Sequence, residues 1–312
     1  MTNKYVVTGG SGFIGSGLIR ALQARGDAKI AVIDSLLTGH KNNLDGLAGP
    51  IDFHQVDIRD YDAIAPVIEG ADTVFHLAAI PSVPKSIADP LPSHDVNING
   101  TFSVLRAAKD GGVRRVVYAA SSSAYGDTDV LPKIESMKPL PKSPYALQKL
   151  VGEYYCNVFT TCFGLETIGL RFFNVYGPRQ DPMSPYSGVL SLFMKHLIAR
   201  TAPTIHGDGE QTRDFTYVED VAGLVIKAST AGVPGTTYNG GNGGRYSLNS
   251  IWSMLQKIEG VEIQASYGPG RAGDVRDSQA DTTAAVRELG HAPEFSIEDG
   301  LRRTLDWYKT AL

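Results

Sequence analysis

The sequence predicts an α/β fold, a doubly wound parallel sheet joined to a smaller C-terminal α/β lobe. Three features carry this expectation. Short apolar runs alternate with stretches of helical period through the first part of the chain. The first run, Tyr5-Val6-Val7, leads into glycines at 9, 10, 12, 15 and 17 and then into a helix. The second run, Ile30 to Ile33, ends in a carboxylate, Asp34.

The first element sets the rest. Gly10, Gly12 and Gly15 give G-x-G-x-x-G; Gly9, Gly12 and Gly15 give the looser G-x-x-G-x-x-G. Such a turn lets backbone approach a pyrophosphate, and free N–H groups at the helix start favour an anion. From Leu18 the period becomes helical, through Ile19 and Leu22 to a stop at Gly26. Asp34 can bind the adenosine ribose hydroxyls and would repel a 2′-phosphate, which selects NAD over NADP.

The chain continues in βα units. Ser35 to Pro50 is a polar loop beside the adenosine. Ile51 to Val56 is strand three, ending in Asp57-Ile58; Asp57 suits either an adenine contact or a helix cap. Tyr61 to Glu69 is a helix, and Asp72 to Ala79 is strand four. Small Ala78 and Ala79 let a ligand pass close. Pro81 to Ser86 is an irregular loop, and Asp95 to Asp110 a helix. Arg115 to Ala120 is strand five and runs into Ser121-Ser122-Ser123. Right-handed crossovers put these strand ends on one edge, where ligands bind.

Ser143-Pro144 opens the next helix, Ser as N-cap and Pro at the first helical position. Tyr145 and Lys149 follow at i, i+4, on one face. A free phenol titrates near 10, too high for a base at neutral pH. A neighbouring ammonium favours the phenolate and lowers that value. Downstream, strands are expected at Thr167 to Phe173, Thr204 to His206 and Thr237 to Asn239. Helices are expected at 187–200, 247–258, 287–289 and 298–308, the second capped by Ser247. Residues 1–173, rejoined by 214–240, form the dinucleotide domain; 174–213 and 241–312 form the lobe.

Bulk properties narrow the function. Net charge is −4, so there is no electrostatic footprint for nucleic acid. No apolar run reaches the ~20 residues of a membrane span. The chain passes from Met1 almost directly into a strand, leaving no room for a signal peptide. Cys156 and Cys162 read as reduced thiols of a cytoplasmic protein, and no His/Cys cluster has metal spacing.

The motifs together resemble the extended short-chain dehydrogenase/reductase superfamily, and within it the nucleotide-sugar 4-epimerases. They are TGGSGFIG (8–15), HLAA (76–79), SSSAYG (121–126), Tyr145-xxx-Lys149, RFFNVYGPRQ (171–180), HGDGEQTRDFTYVED (206–220) and RAGD (271–274). The resemblance spans the whole chain. It implies a Rossmann domain with tightly held NAD, contacted by Gly9, Gly12, Phe13, Ile14, Gly15, Asp34, Asp57, Ile58, Leu77, Ala78, Ala79, Tyr145 and Lys149. It implies a UDP-sugar whose 4-hydroxyl proton goes to Tyr145 while C4 gives hydride to the nicotinamide. The transient 4-keto sugar turns over and takes hydride back on its other face. Ser121 falls at the family's active-site Ser/Thr, and Ser122 is close enough to share that role.

For the substrate the resemblance implies contacts from Ser82, Ser122, Ser123, Asn174 and Val189. It adds Arg213 and Arg271 toward the diphosphate, with Asn174 matching a phosphate-binding position, Asp274 on the substrate side, and Thr204 and His206 toward the uracil. His206 reads equally as an exposed loop histidine. Ser278 stands where members restricted to glucose and galactose carry a bulky Tyr. A small residue there leaves room for a 2-acetamido group, so UDP-GlcNAc and UDP-GalNAc are the expected pair, alongside UDP-glucose and UDP-galactose. A homodimer is expected through helices 95–110 and 144–160, using Phe102, Leu105, Tyr154 and Tyr155. Related dehydratases carry an Asp-Glu pair after the active-site Ser/Thr, and UDP-glucuronate decarboxylases a Glu; here those positions are Ser122 and Ser123. A non-catalytic dinucleotide sensor would lack the Tyr145/Lys149 pair.

Overall fold

The computed structural model describes residues 3–26, 28–181, 188–270 and 275–311. The chain begins β1 (Asn3–Thr8), α1 (Phe13–Ala24), β2 (Ala28–Ile33), β3 (Asp52–His54), α2 (Tyr61–Ile68), β4 (Thr73–His76). Two short helices follow, α3 (Val83–Ala88) and α4 (Pro90–His94), then a wide π-helical turn over 95–100, α5 (Thr101–Asp110), β5 (Arg115–Ser121) and α6 (Pro144–Phe163). Next come β6 (Glu166–Phe172), β7 (Asn174–Tyr176), α7 (Val189–Ile198), β8 (Thr204–His206), β9 (Thr212–Arg213) and β10 (Phe215–Tyr217). The chain closes with α8 (Val218–Ala228), β11 (Thr236–Gly240), β12 (Tyr246–Ser247), α9 (Leu248–Glu259), β13 (Ser266–Gly268), α10 (Thr283–Leu289) and α11 (Ile297–Ala311).

The main sheet runs β3-β2-β1-β4-β5-β6-β11, with every pairing parallel. Strand order reverses between β1 and β4, the switch point at which such sheets open a crevice. Alternate side chains leave opposite faces: Val7 joins a core with Leu18, Leu22 and Phe75, while Val6 joins another with Ile64, Val104 and Leu105. The smaller lobe has its own core, around Phe193, Leu197, Trp252, Leu255, Leu301 and Tyr308. Although α10 follows lobe segments in the chain, its Ala285 and Leu289 pack in the first core.

Several expectations shift. Helix α1 starts at Phe13, inside the glycine run, because Gly12 is its N-cap. Residues 95–110 are not one regular helix: the first turn is π-helical and α-helix begins at Thr101. Leu105, expected at a dimer contact, is fully buried against the sheet, and Tyr155 packs partly into the same core. Phe102, Leu147, Tyr154 and Val158 remain exposed on α5 and α6. No helix among the described residues is long and apolar enough to cross a membrane.

Candidate active site

The glycine turn is built to the limit of backbone contact. Gly9 sits at φ 72°, and a Cβ there would lie 2.7 Å from the Ala78 nitrogen. A Cβ on Gly15 would lie 2.2 Å from the Gly9 carbonyl oxygen. The N–H groups of Phe13, Ile14 and Gly15 are the first of α1 and have no intrahelical acceptor. The half-buried side chains of Phe13 and Ile14 flank this turn, Ile14 packing on the first core. Asp34 is buried at the end of β2 and accepts from the Ser11 and Leu36 N–H groups, both at 2.8 Å. The Ser11 hydroxyl is buried with no protein partner. A cradle closed to any Cβ, free N–H groups and a fixed carboxylate fit a dinucleotide's pyrophosphate and ribose.

The opposite wall is the end of β4. Leu77 and Ala78 donate to Thr8, at its carbonyl and hydroxyl oxygens, both at 3.2 Å. His76, which the residue-by-residue reading passed over, bridges the hydroxyls of Thr8 (2.8 Å) and Thr101 (2.9 Å). Burial, with Lys149 nearby, pushes its pKa down to about 3, so it stays neutral. Ala79 is half-buried in the same wall. Asp57 caps no helix: the N-cap of α2 is Asp60, accepting from Ala63. Asp57 instead meets the Arg59 fork at 2.7 and 3.0 Å, and that bond, with the others Arg59 makes, holds its carboxyl below the usual range against burial. Ile58 is buried against Gly100, where a Cβ would lie 2.6 Å away.

Tyr145 and Lys149 lie on the first two turns of α6, started by Ser143, which accepts from Ala146 at 3.2 Å. Tyr145 is half-buried. Burial of its hydroxyl raises the phenol pKa, and a hydrogen bond with the Ser121 side chain opposes that rise. The Lys149 ammonium donates to the Ala119 carbonyl at 2.8 Å and lies over the Tyr118 ring. Burial pushes its own pKa down to about 8. The shared helix face places both residues toward the end of β5, where the Ala119 carbonyl holds the amine. Ser121 is itself fixed by the Ser123 hydroxyl (2.8 Å) and N–H (3.2 Å), and Ser122 starts the 3₁₀ turn between them.

The other expected residues fall on the ends of neighbouring elements. Ser82 is buried and caps α3, accepting from Lys85 at 3.2 Å. Asn174 begins β7 beside β10, and half-buried Val189 begins α7. Thr204 and His206 bound β8; Thr204 meets the Ser266 hydroxyl, and the His206 ring meets the Pro269 carbonyl at 3.2 Å. The Arg213 guanidinium donates to the carbonyls of Thr212 and Arg276. Ser278 is half-buried, and its N–H donates to Thr212 at 3.1 Å. Arg271 and Asp274 lie outside the described residues. No group of three or more metal-ligating side chains occurs among the described residues.

Three buried side chains behind the site were missed. Asp214 accepts from the N–H groups of Asn242 (2.9 Å), Gly243 (2.9 Å) and Ala280 (3.0 Å), tying β11 to the segment carrying Ser278. Glu153 and Arg171, 4% and 6% exposed, form a fork at 2.8–3.2 Å between α6 and β6. Glu153 stands one further helical turn beyond Lys149, which was the available signal; its partner, from a strand, was not visible.

The fold and the site define a dinucleotide-dependent enzyme with a Tyr/Lys pair at the strand edge. Residues 5–241 match the family model described as the NAD dependent epimerase/dehydratase family. The chain belongs to that family. It is 35% identical to the UDP-glucose 4-epimerase of Mycolicibacterium smegmatis over 98% of each chain. It superposes on a UDP-N-acetylglucosamine 4-epimerase from Methanobrevibacter ruminantium M1, solved with UDP-N-acetylmuramic acid, with TM-score 0.95, 35% identity and 100% of both chains covered. A Thermotoga maritima UDP-glucose 4-epimerase bound to UDP-glucose gives 0.94, with 34% identity and 99% of each chain covered.

Proposed function

We propose that this enzyme epimerises UDP-hexoses at C4 and takes the UDP-GlcNAc/UDP-GalNAc pair as well as, or ahead of, UDP-glucose/UDP-galactose. The observation that supports 4-epimerisation most directly is the Tyr145 phenol beside Ser121, at a strand end followed by Ser122 and Ser123 rather than by carboxylates. Elimination of water needs an extra acid and base; interconversion of a sugar alcohol needs one proton acceptor that later returns the proton.

NAD, when bound, accepts hydride from the sugar's C4 and gives it back. The chain's own part is proton handling and orientation. Tyr145 takes the 4-hydroxyl proton at its phenolic oxygen and later restores it. Ser121 donates to that oxygen and steadies the phenolate. Lys149, anchored on Ala119, holds the cofactor ribose. Gly9 to Gly15, Asp34, Asp57, Ile58 and Leu77 to Ala79 line the cofactor side. Arg213 with Arg271 suits the diphosphate, since guanidinium forks match oxyanions. Ser82, Ser123, Asn174, Val189, Thr204, His206 and Asp274 complete the substrate side. Residues 1–173 and 214–240, with α10 packed on them, serve NAD and lend Ser82 and Ser121 to Ser123 to the sugar, and the remaining segments hold the rest of the UDP-sugar.

We also assign a homodimer through α5 and α6, supported by exposed Phe102, Leu147, Tyr154 and Val158. Two free thiols, Cys156 and Cys162, fit a reducing cytoplasm.

Incubation of the purified enzyme with UDP-GlcNAc and no added NAD tests the reading. UDP-GalNAc of unchanged mass is expected. Loss of water would point to a dehydratase, release of carbon dioxide from UDP-glucuronate supplied in parallel to a decarboxylase, and no turnover of any UDP-sugar to a sensor. Ser278→Tyr should abolish acetamido-sugar turnover while sparing UDP-glucose. Intact acetamido turnover would remove the assignment of Ser278.

A further inference from the structure

The segment bearing Ser278 is locked from behind. β9 is the middle of a small ribbon, paired antiparallel with β12 on one side and bridged in parallel to Asp277 on the other. The Thr212 N–H donates to the Arg276 carbonyl and the Ser278 N–H to the Thr212 carbonyl, both at 3.1 Å. Side chains cross this ribbon in a row. Arg245 donates from Nε to the Thr212 hydroxyl at 2.9 Å and pairs through Nη2 with Asp277 at 3.1 Å. The Thr212 hydroxyl also donates to Asp277.

Side chains alternate between the faces of an extended segment. With Thr212 and Asp277 on the Arg245 face, their neighbours Arg213 and Ser278 belong to the other. The diphosphate arginine and the acetamido-specificity residue therefore share a face. The side chains of the Arg245-Thr212-Asp277 row occupy the reverse side; among the described residues Thr212 meets Arg213 and Ser278 through its backbone carbonyl. We infer that Asp277, gripped by Arg245 and Thr212, is a specificity-positioning residue: it fixes the chain at Ser278 and sets the space offered to the sugar's 2-substituent. This rests on the acetamido-sugar reading above.

A lock of this kind is chemically selective. The Thr212 hydroxyl and the Arg245 guanidinium meet the same Asp277 oxygen, so Asn keeps the acceptor and loses the charge, whereas Ala loses both. Releasing it lets the segment drift by a fraction of an ångström. A pocket that admits one bulky group and a smaller one would then discriminate differently, by about tenfold, the scale of a methylene-sized misfit.

The experiment compares Asp277→Ala, Asp277→Asn, Arg245→Met and the Asp277→Ala/Arg245→Met double variant. Each is titrated calorimetrically with UDP-GlcNAc and UDP-glucose and assayed on both. The ratio of kcat/KM values, acetamido over hydroxyl, is expected to fall about tenfold in Asp277→Ala and Arg245→Met and no further in the double variant, because one lock is broken either way. A general loss of fold lowers both sugars together and leaves the ratio unmoved. An unmoved ratio in every variant, or additive effects in the double variant, overturns the inference. If the unaltered protein binds neither sugar, the acetamido reading itself fails, and the inference with it; Ser278→Tyr tests that reading separately.

Discussion

Removing one hydroxyl, in Ser121→Ala, tests the proposed proton path most sharply. The phenol of Tyr145 starts at a disadvantage: burial raises its pKa above the ordinary value. Among the protein's own groups, Ser121 is the one that opposes this rise. Its hydroxyl is already oriented by Ser123, so little ordering is needed when the phenolate forms. A hydrogen bond to a charged acceptor contributes about 1.5–3 kcal/mol. At 1.36 kcal/mol per decade, its loss slows kcat by about ten- to a hundredfold on the acidic limb of the pH profile, where the phenol is still protonated. The sign is fixed by the chemistry. Phenolate is the working base, Ser121 favours phenolate, and without it the profile moves to higher pH. The deficit therefore shrinks as pH rises. The assay is kcat against pH for both proteins, with an ultraviolet titration of the phenol alongside. A deficit of equal size at every pH, or a profile displaced toward acid, would refute the reasoning.

Gly15→Ala places a methyl 2.2 Å from the Gly9 carbonyl and must spread the cofactor cradle; NAD released on denaturing the purified variant should fall several-fold below parent stoichiometry. Glu153→Gln leaves the buried Arg171 guanidinium without its anion and should cost about 3–5 kcal/mol in urea unfolding, whereas exchanging both partners for apolar residues should recover most of that loss. An unfolding midpoint unchanged in Glu153→Gln would show that the pair contributes little.

Much of this site was legible in the chain because local rules wrote it. The glycine turn, the carboxylate ending β2, the Ser-Pro start of α6 and the i, i+4 spacing of Tyr145 and Lys149 each follow from steric or helical geometry over a few residues. The parallel order of the sheet also followed, since βα repeats leave few alternatives. What failed was reach across the fold. Lys149 faces Tyr145 by spacing, yet a carbonyl of β5 holds its amine. Leu105 sits on the expected helix but points into the sheet. Asp214, Glu153 and Asp277 look like ordinary charged residues until their partners arrive from distant strands. Sequence alone determined the elements and the parallel sheet, because these depend on backbone conformation and periodicity, while the type of chemistry came from the resemblance of its motifs to a family. Only the tertiary structure showed which groups lie beside the phenol and which bond the segment around Ser278, because hydrogen bonds and burial are set by neighbours far apart in the chain.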